Sequence, residues 1–147
     1  MSTSAHQLNQ SPTAIAFLSQ PLIAWIATCN PGTFQPHVVP VWYEWDGQAV
    51  WISSFRTTRK IREIRKNPRI SLVVDIAQTG DANQGVIFEG KAELISDPAV
   101  GVQRGTSIYS RYLGFEGAQA DEPQSWLHDP DHLLIRLAPD WIHFWGM

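Results

Sequence analysis

The sequence has few of the features that mark secreted or membrane-spanning proteins. Its one cysteine, Cys29, cannot form an internal disulfide, which favours a reducing compartment and a cytoplasmic location. No apolar run is long enough to span a membrane, and residues 1–12 lack the basic and apolar segments of a signal peptide. We therefore expect residues 1–12 to form a disordered tail and residues 13–147 to form a single domain.

Motifs for metals and for dinucleotides are also lacking. His128 and His132 have a spacing that could bind a metal on a helix, but Pro130 lies between them and no Cys/His cluster accompanies them. We therefore predict no metal site. The glycines are scattered and form neither a phosphate loop nor a dinucleotide fingerprint.

Basic charge is concentrated in one short segment. The net charge is −3, yet residues 56–69 contain seven basic residues against the single acid Glu63. A nucleic acid would need a broad basic face, whereas a local cluster suits a small anion. We expect a small-molecule ligand, and neither a nucleic-acid nor a membrane partner.

Hydrophobic patterns alternate with turn signals and predict a mainly β fold. Seven strands are predicted at residues 22–29, 37–45, 48–55, 70–76, 86–95, 133–137 and 141–145, the last two as a pair around residues 138–140. Three helices are predicted at residues 13–20, 57–66 and 97–113, with a polar connection over residues 114–131. Hairpin-linked neighbours favour an antiparallel barrel with peripheral helices.

The segment Ser53 to Lys60, SSFRTTRK, is the most informative one. A strand ends there and a helix begins with Thr58, Arg59 and Lys60. Cations at a helix start oppose the helix dipole unless an anion binds there, and a phosphate would use the free N–H groups and both charges. A solvated basic helix face is an equally good interpretation of this segment alone.

The hairpin of residues 40–54 is rich in aromatic side chains. It contains Trp42, Tyr43, Trp45 and Trp51. Alternation along a strand places Trp42 and Tyr43 on opposite faces, so only some of these rings can meet one ligand. A planar aromatic ligand could lie along this hairpin. For each tryptophan alone, a role in the core or in a dimer interface is the better interpretation.

These segments together resemble the pyridoxamine 5′-phosphate oxidase-like family of flavin-binding split barrels. The resemblance covers roughly residues 12–146 and is most specific where the Arg-Lys helix is followed by Asn-Pro-Arg and an apolar strand. It implies a mainly β, antiparallel, Greek-key-like split barrel of the FMN-binding type. It also implies a homodimer with the flavin at the subunit interface.

The resemblance also implies a set of cofactor contacts. These are Val39, Pro40, Val41, Trp42, Ile52, Ser53, Thr58, Arg59, Lys60, Gln84 and Trp145. Residues 58–60 would hold the FMN phosphate, while residues 39–42 and 52–53 would line the isoalloxazine ring. Trp145 falls where the family places a flavin-contacting tryptophan, and Gln84 stands one residue before the position of the family's flavin-binding glutamine.

The implied function is that of an FMN-dependent oxidoreductase of unknown substrate. True oxidases of the family continue after FWxG with a substrate-binding Arg-Leu-His-Asp-Arg stretch, where this sequence has only Gly146 and Met147. We therefore expect no pyridoxamine phosphate oxidase activity. No residue stands out as a catalytic acid or base. The alternatives are a deazaflavin-dependent reductase and a non-enzymatic flavin or haem carrier, with His37 or His143 as an iron ligand.

Overall fold

The computed structural model describes residues 3–77 and 83–147. In these residues the helices are α1 (Ala5–Asn9), α2 (Pro12–Ser19), α3 (Arg59–Lys66), α4 (Pro98–Ala118) and α5 (Asp121–Leu127). The strands are β1 (Ala24–Cys29), β2 (Pro36–Val41), β3 (Glu44–Trp45), β4 (Val50–Phe55), β5 (Arg69–Ile76), β6 (Gln84–Ile95), β7 (His132–Leu137) and β8 (Trp141–Trp145). None of these helices is long and apolar enough to cross a membrane.

The sheet is antiparallel throughout, and its strand order leaves a split between two consecutive strands. The order is β2-β1-β5-β6-β7-β4-β3, with β8 paired to β6. The two outermost strands, β2 and β3, follow each other in the chain and are joined only by Trp42 and Tyr43. This half-barrel with peripheral helices confirms the predicted split-barrel class.

The long strand β6 organises the sheet, and the predicted pairing of the last two strands is wrong. β7 and β8 lie end to end along one edge of β6, with Ala92 opposite Leu137 and Glu89 opposite Trp141. Residues 138–140 therefore form a break within one edge, not a hairpin turn. A 12-residue strand offers enough edge for both partners, which a local turn signal cannot reveal.

Alternation along the strands fills the barrel with apolar side chains. Ile26, Ile52, Leu72 and Phe88 are almost completely buried inside it. Helix α3 adds Ile61 and Ile64 to the same core, as the spacing of these residues in the sequence predicts. The core thereby fixes which face of α3 points away from the barrel.

The predicted strand over residues 37–45 is broken at Tyr43. This side chain is fully buried, and its hydroxyl donates to the Leu18 carbonyl at 3.1 Å. The Arg111 guanidinium binds the Tyr43 carbonyl at 2.9 Å from the other side. Pro40 lies on β2, an edge strand that pairs only with β1, and edge strands tolerate a residue without an N–H.

The N-terminal segment differs from the disordered tail that we predicted. Ser4 and Gln7 form a capping box at the start of α1, and Leu8 is fully buried against the barrel. The Asn9 side chain accepts from the Trp45 indole at 3.0 Å. Leu8 and the capping box hold the segment in place, and the polar composition of residues 1–12 predicts neither of them.

The predicted polar connection over residues 114–131 contains helical structure. α4 is interrupted at Gly114, which has φ of 77°, and α5 then covers Asp121–Leu127. The Leu127 side chain packs so closely against Gly105 that a Cβ at this glycine would lie 2.3 Å from it. The predicted loop of residues 77–83 lies mostly outside the described residues.

Candidate cofactor site

A cavity of about 230 Å³ opens where β2, β4, α3, α4 and α5 meet. Its lining residues are Pro40, Val41, Trp42, Ser53, Ser54, Phe55, Lys60, Tyr109 and Trp126. We name it the aromatic cavity. The structure thus brings together five of the predicted cofactor residues, namely Pro40, Val41, Trp42, Ser53 and Lys60.

Rings fixed by packing form the wall of the aromatic cavity. Trp42 stacks on Tyr112 with ring centroids 4.6 Å apart and an interplanar angle of 4°. Tyr109 meets both Trp42 and Trp126 edge-on, each at 5.8 Å. These geometries are the preferred ones for aromatic pairs, so the cavity is preformed for a flat apolar group.

Lys60 brings a positive charge into the aromatic cavity. Its side chain is half-buried, and this burial lowers the pKa of its ammonium group. Among residues 3–77 and 83–147, no acidic group contributes to that shift, so the charge is desolvated without an ion-pair partner there. A buried cation of this kind is stabilised by an anion, and a ligand phosphate would supply one.

The start of α3 adds backbone donors beside Lys60. Thr58 is the N-cap residue, but its side chain makes no capping bond and its hydroxyl instead donates to the Phe55 carbonyl at 3.0 Å. The first N–H groups of α3 therefore lack a side-chain acceptor. Helix N-termini in this state favour anions.

Arg59 lies on another side of α3 than Lys60. Its guanidinium pairs with the buried Glu63 carboxylate at 3.4 Å, and it borders a second cavity of about 420 Å³. The lining residues of this basic cavity are Asn30, Arg59, Arg62, Glu63, Arg65 and Lys66. Adjacent helical residues point about 100° apart, so the predicted Arg59–Lys60 pair is divided between two cavities.

A hydrogen-bonded cluster that the sequence analysis missed lies at the wall of the aromatic cavity. The Ser53 hydroxyl lies 2.9 Å from the Tyr109 hydroxyl and 2.7 Å from His132 Nε2. Burial raises the pKa of Tyr109 and lowers that of His132. The only sequence signal for Tyr109 is its spacing of three from Tyr112 on a predicted helix, and nothing local marks His132 or Trp126.

Besides Thr58 and Arg59, four predicted residues do not line the aromatic cavity. Ile52 is fully buried in the barrel core, and Val39 packs against that core, so their side chains point away from the aromatic cavity. Gln84 and Trp145 lie at the far end of β6, where Gln84 Nε2 donates to the Gly146 carbonyl at 3.2 Å. Strands β1, β5 and β6 lie between β2 and β8 in the sheet, at about 4.8 Å per strand, so these two side chains do not reach the aromatic cavity of their own protomer.

The family model described as pyridoxamine 5′-phosphate oxidase matches residues 11–146. The chain belongs to the pyridoxamine 5′-phosphate oxidase family. No curated protein matches the chain in sequence.

Solved structures similar to this family member have varied descriptions. The conserved hypothetical protein Rv2991 from Mycobacterium tuberculosis is 27% identical, with a TM-score of 0.79 over 92% of this chain and 84% of its own. An F420 reductase is 22% identical, with a TM-score of 0.67 over 87% and 94%. The haem storage protein HutZ from Vibrio cholerae is 15% identical, with a TM-score of 0.71 over 90% and 92%. The last two likenesses show the fold alone.

Proposed function

We propose that the chain is a flavin-dependent oxidoreductase that binds FMN in the aromatic cavity. The observation that carries this proposal is the half-buried Lys60, which has no acidic partner among the described residues, beside the uncapped start of α3. The wall of stacked rings at the same cavity suits a flat aromatic group. One cavity therefore offers an anion site and an aromatic site, which are the two parts that FMN recognition needs.

Each part of the site has a separate role in this proposal. Lys60, Thr58 and the first N–H groups of α3 would hold the phosphate, and Arg59 would add its charge from the neighbouring side of the helix. Residues 40–42 and Ser53 would position the ring. Bound FMN would supply the hydride and electron transfer, while the protein excludes water and fixes the orientation.

We also propose a homodimer formed through the outer face of the sheet. One cross-strand row on this face consists of Pro40, Trp25, Val73, Ile87 and His143. Trp25 is 44% exposed, and Val38 beside this row is 59% exposed. Contiguous apolar patches of this kind are rare on monomers, and a second copy of the chain is a partner with a matching face.

The position of this face also explains the distant site residues. Val73 is the middle of the five-residue row, so a two-fold axis through it exchanges the two ends. Trp145 and Gln84 of one protomer would then lie beside Pro40 of the other, at the edge of the aromatic cavity. A dimer would thereby complete a site that a single protomer leaves open.

The variant Val73→Arg tests this dimer. The charge lies at the centre of the proposed interface, so we expect the wild type to be a dimer and the variant a monomer in sedimentation equilibrium at micromolar concentration. Ala99→Arg, on the exposed start of α4, is the matched control and stays dimeric. A wild-type monomer that binds FMN would contradict the proposal.

A deazaflavin coenzyme is the second candidate ligand, and the basic cavity favours it. Arg62, Arg65 and Lys66 border this cavity next to α3 and could bind a long acidic tail, which FMN lacks. Removing these three charges should weaken deazaflavin binding and leave FMN binding unchanged. Parallel titrations with both cofactors, followed by absorption and fluorescence, decide between them.

A haem-binding function receives less support from the structure. His37 lies on β2 and His143 on β8, with β1, β5 and β6 between them in the sheet, so they do not converge on one iron within a protomer. The His143 ring stacks between Trp141 and Trp145, each at 5.9 Å. The absorption spectrum of the purified protein separates a haem from either flavin.

We propose that the chain does not oxidise pyridoxamine phosphate. The substrate phosphate needs a second cationic site, and the arginines outside residues 56–69 already bind other groups of the protein. Arg104 binds Glu44, Arg136 binds Glu93, and Arg111 donates to four backbone carbonyls. We expect no release of pyridoxal phosphate under oxygen by the FMN-loaded protein. Turnover above about 1 per second, an ordinary enzymatic rate, would show that another group binds this phosphate.

A further inference from the structure

Three hydrogen-bonding side chains connect the aromatic cavity with a second, polar cavity. Tyr109 and Ser53 line the aromatic cavity, and the Ser53 hydroxyl joins the Tyr109 hydroxyl at 2.9 Å to His132 Nε2 at 2.7 Å. His132 in turn lines the polar cavity, which has a volume of about 220 Å³. Polar and charged residues there are Arg56, Ser96, Asp97, His128 and Asp129.

The Ser53 hydroxyl has a single proton and lies between two partners, so its orientation couples them. When His132 Nε2 is unprotonated, Ser53 donates to it and Tyr109 donates to Ser53. The Tyr109 oxygen then offers only lone pairs to the aromatic cavity. When Nε2 is protonated, both bonds reverse and Tyr109 can donate its proton into the cavity.

We propose that Tyr109, Ser53 and His132 form a proton relay between the aromatic cavity and the polar cavity. The proposal rests on the proposed function, because a relay has a role only where a redox cofactor and its substrate meet. Tyr109 is the residue that contacts the bound molecule. Ser53 and His132 act through it and are positioning residues for the proton.

The proton balance of the relay is complete within these residues and solvent. A bound molecule gives one proton to the Tyr109 oxygen, Tyr109 passes its own proton to Ser53 Oγ, and Ser53 passes its own to His132 Nε2. His132 then releases its Nδ1 proton to water in the polar cavity. Delivery of a proton to the bound molecule follows the same bonds in reverse.

The surroundings of His132 set the resting direction of the relay. Its ring is buried against Phe55 of β4, at a centroid distance of 5.9 Å, and against Gly101 of α4. Arg56, Asp97, His128 and Asp129 are the charged or titratable groups that share the polar cavity with it. Burial lowers the pKa of His132, an effect that Asp129 partly opposes. The imidazole is therefore neutral at pH 7, and the resting cluster accepts protons from the aromatic cavity.

The first test is the NMR titration of His132 in the cofactor-free protein. Tyr109→Phe removes one hydroxyl and keeps the ring that packs against Trp42 and Trp126. Tyr112→Phe is the matched control, because its hydroxyl donates to the Leu22 carbonyl at 2.6 Å and does not contact Ser53. We expect the titration midpoint of the His132 imidazole to shift in Tyr109→Phe and to keep its wild-type value in Tyr112→Phe. An unmoved midpoint in Tyr109→Phe would overturn the relay.

The second test uses the FMN-loaded protein and measures the midpoint potential of the flavin against pH. We expect an inflection at the pKa of His132 found by NMR, present in the wild type and in Tyr112→Phe and lost in Tyr109→Phe. An inflection that persists in Tyr109→Phe would overturn the relay. Absence of FMN binding in every variant would instead overturn the proposed function, while the NMR titration would still decide whether Tyr109 and His132 are coupled.

Discussion

The two sides of helix α3 carry the same charge in opposite environments. On one side the Lys60 side chain is half-buried and lines the aromatic cavity, with no acidic partner in the described part of the chain. On the other side Arg59 is paired with Glu63, and its side chain is 48% exposed. Arg62, Arg65 and Lys66 are exposed around the same basic cavity.

This difference shows what distinguishes an anion site from a basic surface. Exposed cations keep most of their hydration, so their number says little about ligand binding. A desolvated cation without a partner has lost its hydration, and only a bound anion compensates for that loss. The burial of Lys60 therefore marks the aromatic cavity as the candidate anion site more clearly than the number of basic residues in residues 56–69 does.

The largest expected effect is the loss of FMN affinity in Lys60→Met. This change keeps the apolar stem and removes the buried charge, so it should cost one charge-assisted hydrogen bond, about 1.5–3 kcal/mol. We expect a dissociation constant roughly 10-fold to 100-fold higher in a fluorescence titration. Lys66→Met, which removes the same charge from the exposed end of α3, is the control and should leave the affinity unchanged.

Equal losses of FMN affinity in Lys60→Met and Lys66→Met would contradict the difference between the two sides of α3. The site would then respond to the total charge of α3 and not to the buried ammonium group. Raising the salt concentration provides a second check, because an affinity that depends on exposed charges weakens strongly with salt.

A smaller effect on FMN affinity is expected for Arg59→Met, on the side of α3 that borders the basic cavity. Arg59 is 48% exposed but its partner Glu63 is buried, so the loss in the free energy of unfolding should be about 1 kcal/mol or more, because the substitution leaves a buried carboxylate without its cation. FMN affinity should fall less than in Lys60→Met. Chemical denaturation and the same titration measure both quantities, and a larger affinity loss at Arg59 would mean that its side chain reaches the phosphate when FMN binds.

The smallest expected effect is a pH dependence of stability that depends on His132. Because burial lowers its pKa in the folded protein, the unfolded chain binds a proton first as the pH falls. The contribution of His132 is therefore present above about pH 6.5, its ordinary pKa, and is lost as the pH falls through the lower folded value. His132→Gln should flatten the stability profile over pH 5–7 in thermal denaturation, and an unchanged slope would show that the fold does not lower the pKa of His132.

The sequence allowed the antiparallel barrel, α3 and the core position of Ile61 and Ile64 to be predicted, because each follows from local periodicity. The division of Arg59 from Lys60 could not be predicted, since it depends on which distant elements lie beside each side of α3. The collinear arrangement of β7 and β8 was missed for a related reason. Only the length of the β6 edge, and not any turn residue, decides it.

Part of the candidate site was beyond any local pattern. Tyr109 and His132 are 56 and 79 residues from Ser53 in the chain, and only tertiary packing brings their side chains together. Residues 40–42 and 53 were predicted through the resemblance to the family and not from a local pattern. Gln84 and Trp145 stay a prediction for the second protomer of the proposed dimer.

The most direct test of the central claim is the cofactor content of the purified protein, measured by absorption and by mass spectrometry after extraction. The account predicts one FMN per chain after incubation with excess FMN and gel filtration, and a clear loss of flavin in Lys60→Met but not in Lys66→Met. Retention of no flavin by the wild type, or equal retention by both variants, would contradict it.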